Sequence, residues 1–227
     1  MIVFAMGNVM RSRLVVLLLF VSTISIASCE LKLSQLETAE SNVNLLLDSP
    51  CEPPCWYDIT PGQTTRTETL DILRELPFVD SSAIILDSAE NVGWKRRSAS
   101  ETITGGILFS GSVVQSINIR HFAQPTSIQA LIDYLGPPEG TWVSYVHLPE
   151  DGVTITMIWP QKGLRAGLEI LEYEIAVDAE QMVVPEHNIK EVEYFIPFES
   201  VYTKYPEGQL RLFQEWEGLE DITLPKS

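Results

Sequence analysis

"TWVSYVHLPEDGVTITMIWPQKGLRAGLEILEYEIAV", residues 141–177, contains three runs rich in β-branched and aromatic residues, separated by turn sequences at Pro149–Gly152 and Pro160–Gly163. Such side chains fit a pleated, half-buried surface, while proline and glycine mark the points where the chain reverses. Tight reversals between consecutive strands predict an antiparallel meander.

The same grammar occurs upstream. In GILFSGSVVQSINIR, residues 106–120, Ser110-Gly111 is a turn between two β-rich runs. Period-two alternation then expects Val113, Ile117 and Ile119 on one face, against Val114, Ser116 and Asn118 on the other. A helix signal precedes each of these segments. Pro61-Gly62 marks a turn, and Thr65 with Glu68 three residues later makes a capping box. Leu70, Ile72, Leu73 and Leu76 supply an apolar stripe, and Pro77 stops the helix. The second helix opens at Pro125-Thr126, carries Ile128, Leu131, Ile132 and Leu135 at helical spacing, and closes at Gly136-Pro137-Pro138.

These signals predict an α+β fold of two consecutive units, each a short helix followed by an antiparallel β-sheet, able to join as one curved sheet. The units are residues 51–122 and 123–180. Only the first holds a long intervening segment, FVDSSAIILDSAENVGWKRRSASETITG, residues 78–105. Residues 181–227 include a strand-like NIKEVEYFIP, a short helix or strand in FESVYTKY and an acidic tail. They are expected to extend the sheet or form a lid.

The amino-terminal stretch MRSRLVVLLLFVSTISIASC, residues 10–29, has two arginines followed by fourteen residues without a charge, Leu14 to Ala27. That is the basic and apolar pattern of a secretory signal, too short to span a bilayer comfortably as a helix. Its end, Ile26-Ala27-Ser28-Cys29, resembles the bacterial lipobox, in which a cysteine follows an aliphatic and two small residues. The resemblance implies that residues 1–28 are removed and that Cys29 is lipidated and anchors the chain to a membrane. Residues 29–50 then form the lipidated amino terminus and a polar spacer, with a first helix of the domain as the other reading.

Loss of residues 1–28 removes Arg11 and Arg13 and no acid, leaving 13 basic against 31 acidic residues and a net charge of −18. Such a chain repels phosphate backbones, so nucleic acid is excluded as the expected partner. With Cys29 lipidated, the remaining cysteines are Cys51 and Cys55, and outside the cytoplasm a disulfide between them is the simplest reading. Free or exchanging thiols and a metal site stay open as alternatives. Zinc would need two further ligands, while His121, His147 and His187 are scattered singly, and a thioredoxin-type pair has two intervening residues rather than three.

The stretch ITPGQTTRTETLDIL, residues 59–73, together with Leu135-Gly136-Pro137-Pro138, resembles the SmpA/OmlA-type envelope lipoproteins and the β-lactamase-inhibitor-like domains. In those families a Pro-Gly-x-Thr turn opens a helix, a Leu-Gly-x-Pro turn closes it, and a small antiparallel sheet follows. Here Pro61, Gly62 and Thr64 match the opening. The first helix ends at Leu76-Pro77 without the glycine, and the second lacks the Pro-Gly opening. The resemblance spans residues 58–172 and implies an exposed sheet face that meets a partner.

No catalytic, cofactor-binding or metal-binding residue is assigned. The chain has no strand-to-helix G-x-S-x-G elbow, no calcium loop of alternating aspartates and no glycine-rich phosphate cradle. Asp151 sits in a Pro-Glu-Asp-Gly turn, where it serves the turn. Lys95-Arg96-Arg97 is the one concentrated positive run in residues 29–227, and aromatic residues beside a sheet are frequent hot spots. Trp94, Lys95, Arg96, Arg97 and Trp142 are therefore the expected partner contacts. The expectation is a non-catalytic, membrane-anchored envelope lipoprotein on the extracytoplasmic face of a bacterial membrane, binding a protein or an envelope polymer. A small-ligand or glycan-binding module is the alternative, and a hydrolase ranks below both.

Overall fold

The computed structural model describes residues 44–88, 90–97, 104–120, 122, 124–146, 152–171 and 183–222. The lipobox, Cys29, His121, His147 and Asp151 lie outside the described residues. No helix among those described is long and apolar enough to cross a membrane.

The two helices form where the sequence places them. In α1 (Arg66–Glu75) the Thr65 hydroxyl accepts from the Glu68 N–H at 3.4 Å, while the Glu68 carboxylate accepts from the Thr65 N–H at 2.8 Å. The capping box thus satisfies two amide groups that the first turn leaves without helical partners. In α2 (Ile128–Leu135) the Ser127 hydroxyl accepts from the Ala130 N–H, and Ile128, Leu131 and Leu135 are buried. Gly136 leaves this helix at φ +79°, a conformation that costs glycine little. A third, single-turn helix, α3, spans Val201–Lys204.

Among the described residues, nine strands form one antiparallel sheet. They are β1 (Ile85–Leu86), β2 (Asn91–Trp94), β3 (Gly105–Ser110), β4 (Val113–Arg120), β5 (Gly140–Val146), β6 (Gly152–Trp159), β7 (Leu164–Leu171), β8 (Glu191–Phe195) and β9 (Phe213–Glu215). Across the sheet the order is β1-β2-β3-β4-β8-β7-β6-β5-β9. The fold is therefore α+β with a large antiparallel sheet, but it does not divide into two helix-plus-sheet units at residue 122. Strand β8, from the carboxy-terminal segment, inserts between β4 and β7 and hydrogen-bonds to both. Within residues 78–105, expected as an insertion, lie the edge strand β1 and its neighbour β2.

One residue also shifts the expected alternation. Leu108 pairs with Ser116 but Phe109 pairs with Val114, so Gln115 is an extra residue in β4. A bulge of this kind turns the side chains beyond it to the opposite face. As a result Val114, not Val113, joins Ile117 and Ile119 in the core.

The inward face of the sheet carries Val92, Ile107, Ile117, Ile119, Val143, Ile155, Leu168 and Val192, all buried in a single cluster with Leu73 of α1 and Leu131 of α2. Leu45 and Leu46 belong to the same cluster, each 1% exposed, and the Trp56 indole N–H donates to the Leu45 carbonyl at 2.9 Å. The end of the expected spacer, from residue 44, is therefore part of the folded body. Burying each leucine contributes about 1.5–3 kcal/mol, which a polar tether would forgo.

Candidate functional site

With helices on the inward face, the outward face is where a partner can reach the sheet. Directly opposed residues share a face, so the strand registers define rows across it. One row reads Ile85, Gly93, Gly106, Asn118, Glu193 and Arg165 from β1 to β7. The next reads Arg120, Glu191, Gly167, Thr156, Trp142 and Phe213 from β4 to β9.

At the centre the charges alternate in sign and pair with one another. The Arg120 guanidinium meets the Glu191 carboxylate at 2.8 Å, and Arg165 pairs with Glu193. The Asn118 amide donates to Glu191 at 2.8 Å, fixing that carboxylate from a second side. Pairs this exposed add little stability, but they neutralise the middle of the face. Two open hollows flank them. The larger, about 890 Å³, lies over β1–β4 and includes Ile85, Asp87, Gly93, Gly106, Leu108 and Asn118. The smaller, about 330 Å³, lies over β6–β8 and includes Thr154, Thr156, Gly167, Glu169 and Lys190. Both share Arg165, Glu191 and Glu193.

The other end of this face is covered by the chain itself. Phe213 packs on the Trp142 ring with centroids 4.8 Å apart, Tyr205 packs on it at 5.4 Å, and the Trp142 N–H donates to the Gln209 carbonyl at 3.2 Å. The segment is pinned where Glu139 accepts from the Val201 N–H and the Ser200 hydroxyl, and where the Tyr202 hydroxyl donates to Glu215. The carboxy-terminal residues thus both extend the sheet, through β8 and β9, and lie across one end of it.

The expected contact residues are not brought together. Trp94 is fully buried on the inward face, stacked on Trp56 at 5.3 Å and tilted against Phe78. Arg96 is 2% exposed, with its backbone N–H donating to the Thr104 hydroxyl. The reason is alternation: Val92 and Trp94 point inward along β2, and the extended chain carries Arg96 to the same side. A basic tripeptide in extended chain cannot present all three charges to one side. Lys95 is half-buried, and the exposed Arg97 donates to the Val79 carbonyl at 3.4 Å. Trp142 does lie on the outward face, half-buried at its opposite end.

Cys51 and Cys55 form a disulfide, with Cα atoms 5.7 Å apart. Their sulfurs lie near the Asp58 carboxylate, but bonded cysteines offer no thiolate to a metal. Beside this clasp, the Tyr57 phenol is pushed up to about 12 by burial and by the Asp48 carboxylate, with the Arg96 charge opposing. Burial also raises the wholly buried Tyr194 phenol.

Sequence reasoning missed Gly93, Gly106, Asn118, Arg120, Arg165, Glu191 and Glu193. Each sits at a solvent-facing position of its strand, but only the order of the strands shows that they are neighbours. Comparison with family models, with curated proteins and with solved structures found no match for this chain.

Proposed function

We propose that this protein is a non-catalytic, membrane-anchored lipoprotein of the bacterial cell envelope that binds a protein partner on the outward face of its sheet. The observation that carries the binding role is the open hollow over β1–β4, where Ile85 and Leu108 remain 40% and 36% exposed. A broad, shallow face suits a protein surface, whereas small ligands favour enclosed pockets. The lipobox resemblance at Ile26–Cys29 supports the anchor, and the Cys51–Cys55 disulfide suits an oxidising compartment. The element order also supports reading the chain as one plan used twice, α1 before β1–β4 and α2 before β5–β7.

The smaller hollow supports the second reading, a glycan or small polar ligand, because Thr154, Thr156, Glu169 and Lys190 supply closely spaced donors and acceptors. The test is capture of the tagged, lipidated protein from cross-linked native membranes, with Cys29→Ala as control. A stoichiometric protein partner that is lost in the control supports the proposal. No partner in either sample counts against it and leads to a screen of glycans and small ligands.

A further inference from the structure

Glycine inside a strand weakens it unless another group needs the space. Two strand glycines in this protein show what that group is. A Cβ on Gly105 would lie 2.5 Å from the Trp94 indole, and one on Gly140 would lie 2.4 Å from the Phe213 ring. Gly105 is thus roofed by an indole of the same chain, and Gly140 by the Phe213 ring together with the Gln214 carbonyl oxygen, 2.3 Å from the same Cβ position. Gly106 and Gly167, on the outward face, have no such roof, but only Gly106 is opposed by a second glycine. The nearest heavy atom to its Cβ position is the Val92 carbonyl oxygen at 3.9 Å, and its backbone does not require glycine. Its directly opposed neighbour in β2 is Gly93, so neither strand carries a side chain at this pair. The bare floor is bounded by Ile85, Leu108 and Asn118 within the larger hollow.

We infer that the missing roof is an aromatic side chain of the protein partner, laid over Gly93 and Gly106 between Ile85 and Leu108. Charge selects the rest of that partner. The chain carries a net charge of −16, and the carboxylate of Asp87 lines this end of the hollow. Arg120 and Arg165 are already matched by Glu191 and Glu193, so the field favours a basic residue beside the aromatic one. A second copy of this acidic chain is disfavoured by the same repulsion. The inference rests on the proposed function and narrows its partner to a segment pairing an aromatic with a basic residue.

The test uses the full chain in detergent with isoleucine and leucine methyl groups labelled for NMR. The probe is N-acetyl-lysyl-tryptophanamide, compared with N-acetyl-leucinamide and N-acetylglucosamine. The expected result is saturable shifts of the Ile85 and Leu108 methyl signals with the tryptophan probe, at least tenfold weaker with the other two. Gly106→Val fills open space, so it should keep a melting temperature at or above that of the parent while abolishing those shifts. Gly105→Ala, one residue away, should lower the melting temperature because its Cβ meets Trp94. Absence of shifts, equal response to leucinamide, shifts from the sugar alone, or shifts that persist in Gly106→Val would each overturn the inference. If a partner captured from membranes binds Gly106→Val as well as the parent, the inference fails while the proposed function stands.

Discussion

Tyr57 shows how one side chain ties the amino-terminal clasp to stability. Its phenol is raised from 10.0 to about 12 because burial and Asp48 both disfavour the phenolate. The unfolded chain therefore releases this proton near pH 10 while the folded chain keeps it. Between those values the native state binds more protons, so stability falls as pH rises, and the contribution is complete only below pH 10. We expect the urea midpoint of the protein to drop between pH 10 and 12, and Tyr57→Phe to drop less over the same range. The burial of Trp94 and Arg96 was within reach of sequence reasoning at this scale, since alternation from Val92 fixes both. What drew attention instead was composition, a tryptophan followed by three basic residues, and composition carries no direction.

At the scale of the element, the two helices were the most legible parts of the chain because their signals are local. The Thr65–Glu68 box and the Ser127 cap each involve side chains three residues from the amide they satisfy. Thr65→Ala should cost about 1 kcal/mol, measured by chemical denaturation, with the helix retained in the folded state. Hairpin β3–β4 and the meander β5–β7 were legible for the same reason. The bulge at Gln115 was not, because Val113 and Val114 are adjacent and equally apolar, so either could be read as the inward residue. Strands β1 and β2 escaped notice because they are only two and four residues long, with β1 at the sheet edge. There, pairing on one side gives little demand for a long alternating run.

At the scale of the whole molecule, sequence order misleads. Units that follow one another along the chain need not close separately, and β8 joins the two groups of strands from the middle of the sheet. Only the partners of β8 reveal the charged centre of the outward face, because Glu191 and Glu193 come from β8 while Arg120 and Arg165 come from the strands on either side. That centre is a property of topology and was invisible in any local window. A chain that stops at His187 lacks β8, and we expect it to show no cooperative thermal transition by circular dichroism, whereas a mere lid could be removed with the rest intact. Val192 and Tyr194 of β8, with Ile189, Val201, Leu219 and Ile222 beyond it, are buried side chains that such a chain would miss from the core. The position of β8 also sets a clock. A ribosome makes residues 191–195 after seven of the nine strands already exist, so those strands must wait, incomplete, for the piece that unites them. Closure of the sheet thus waits until residues 191–195 have been made, and any factor that shields nascent chain would meet β1–β7 before the sheet can close.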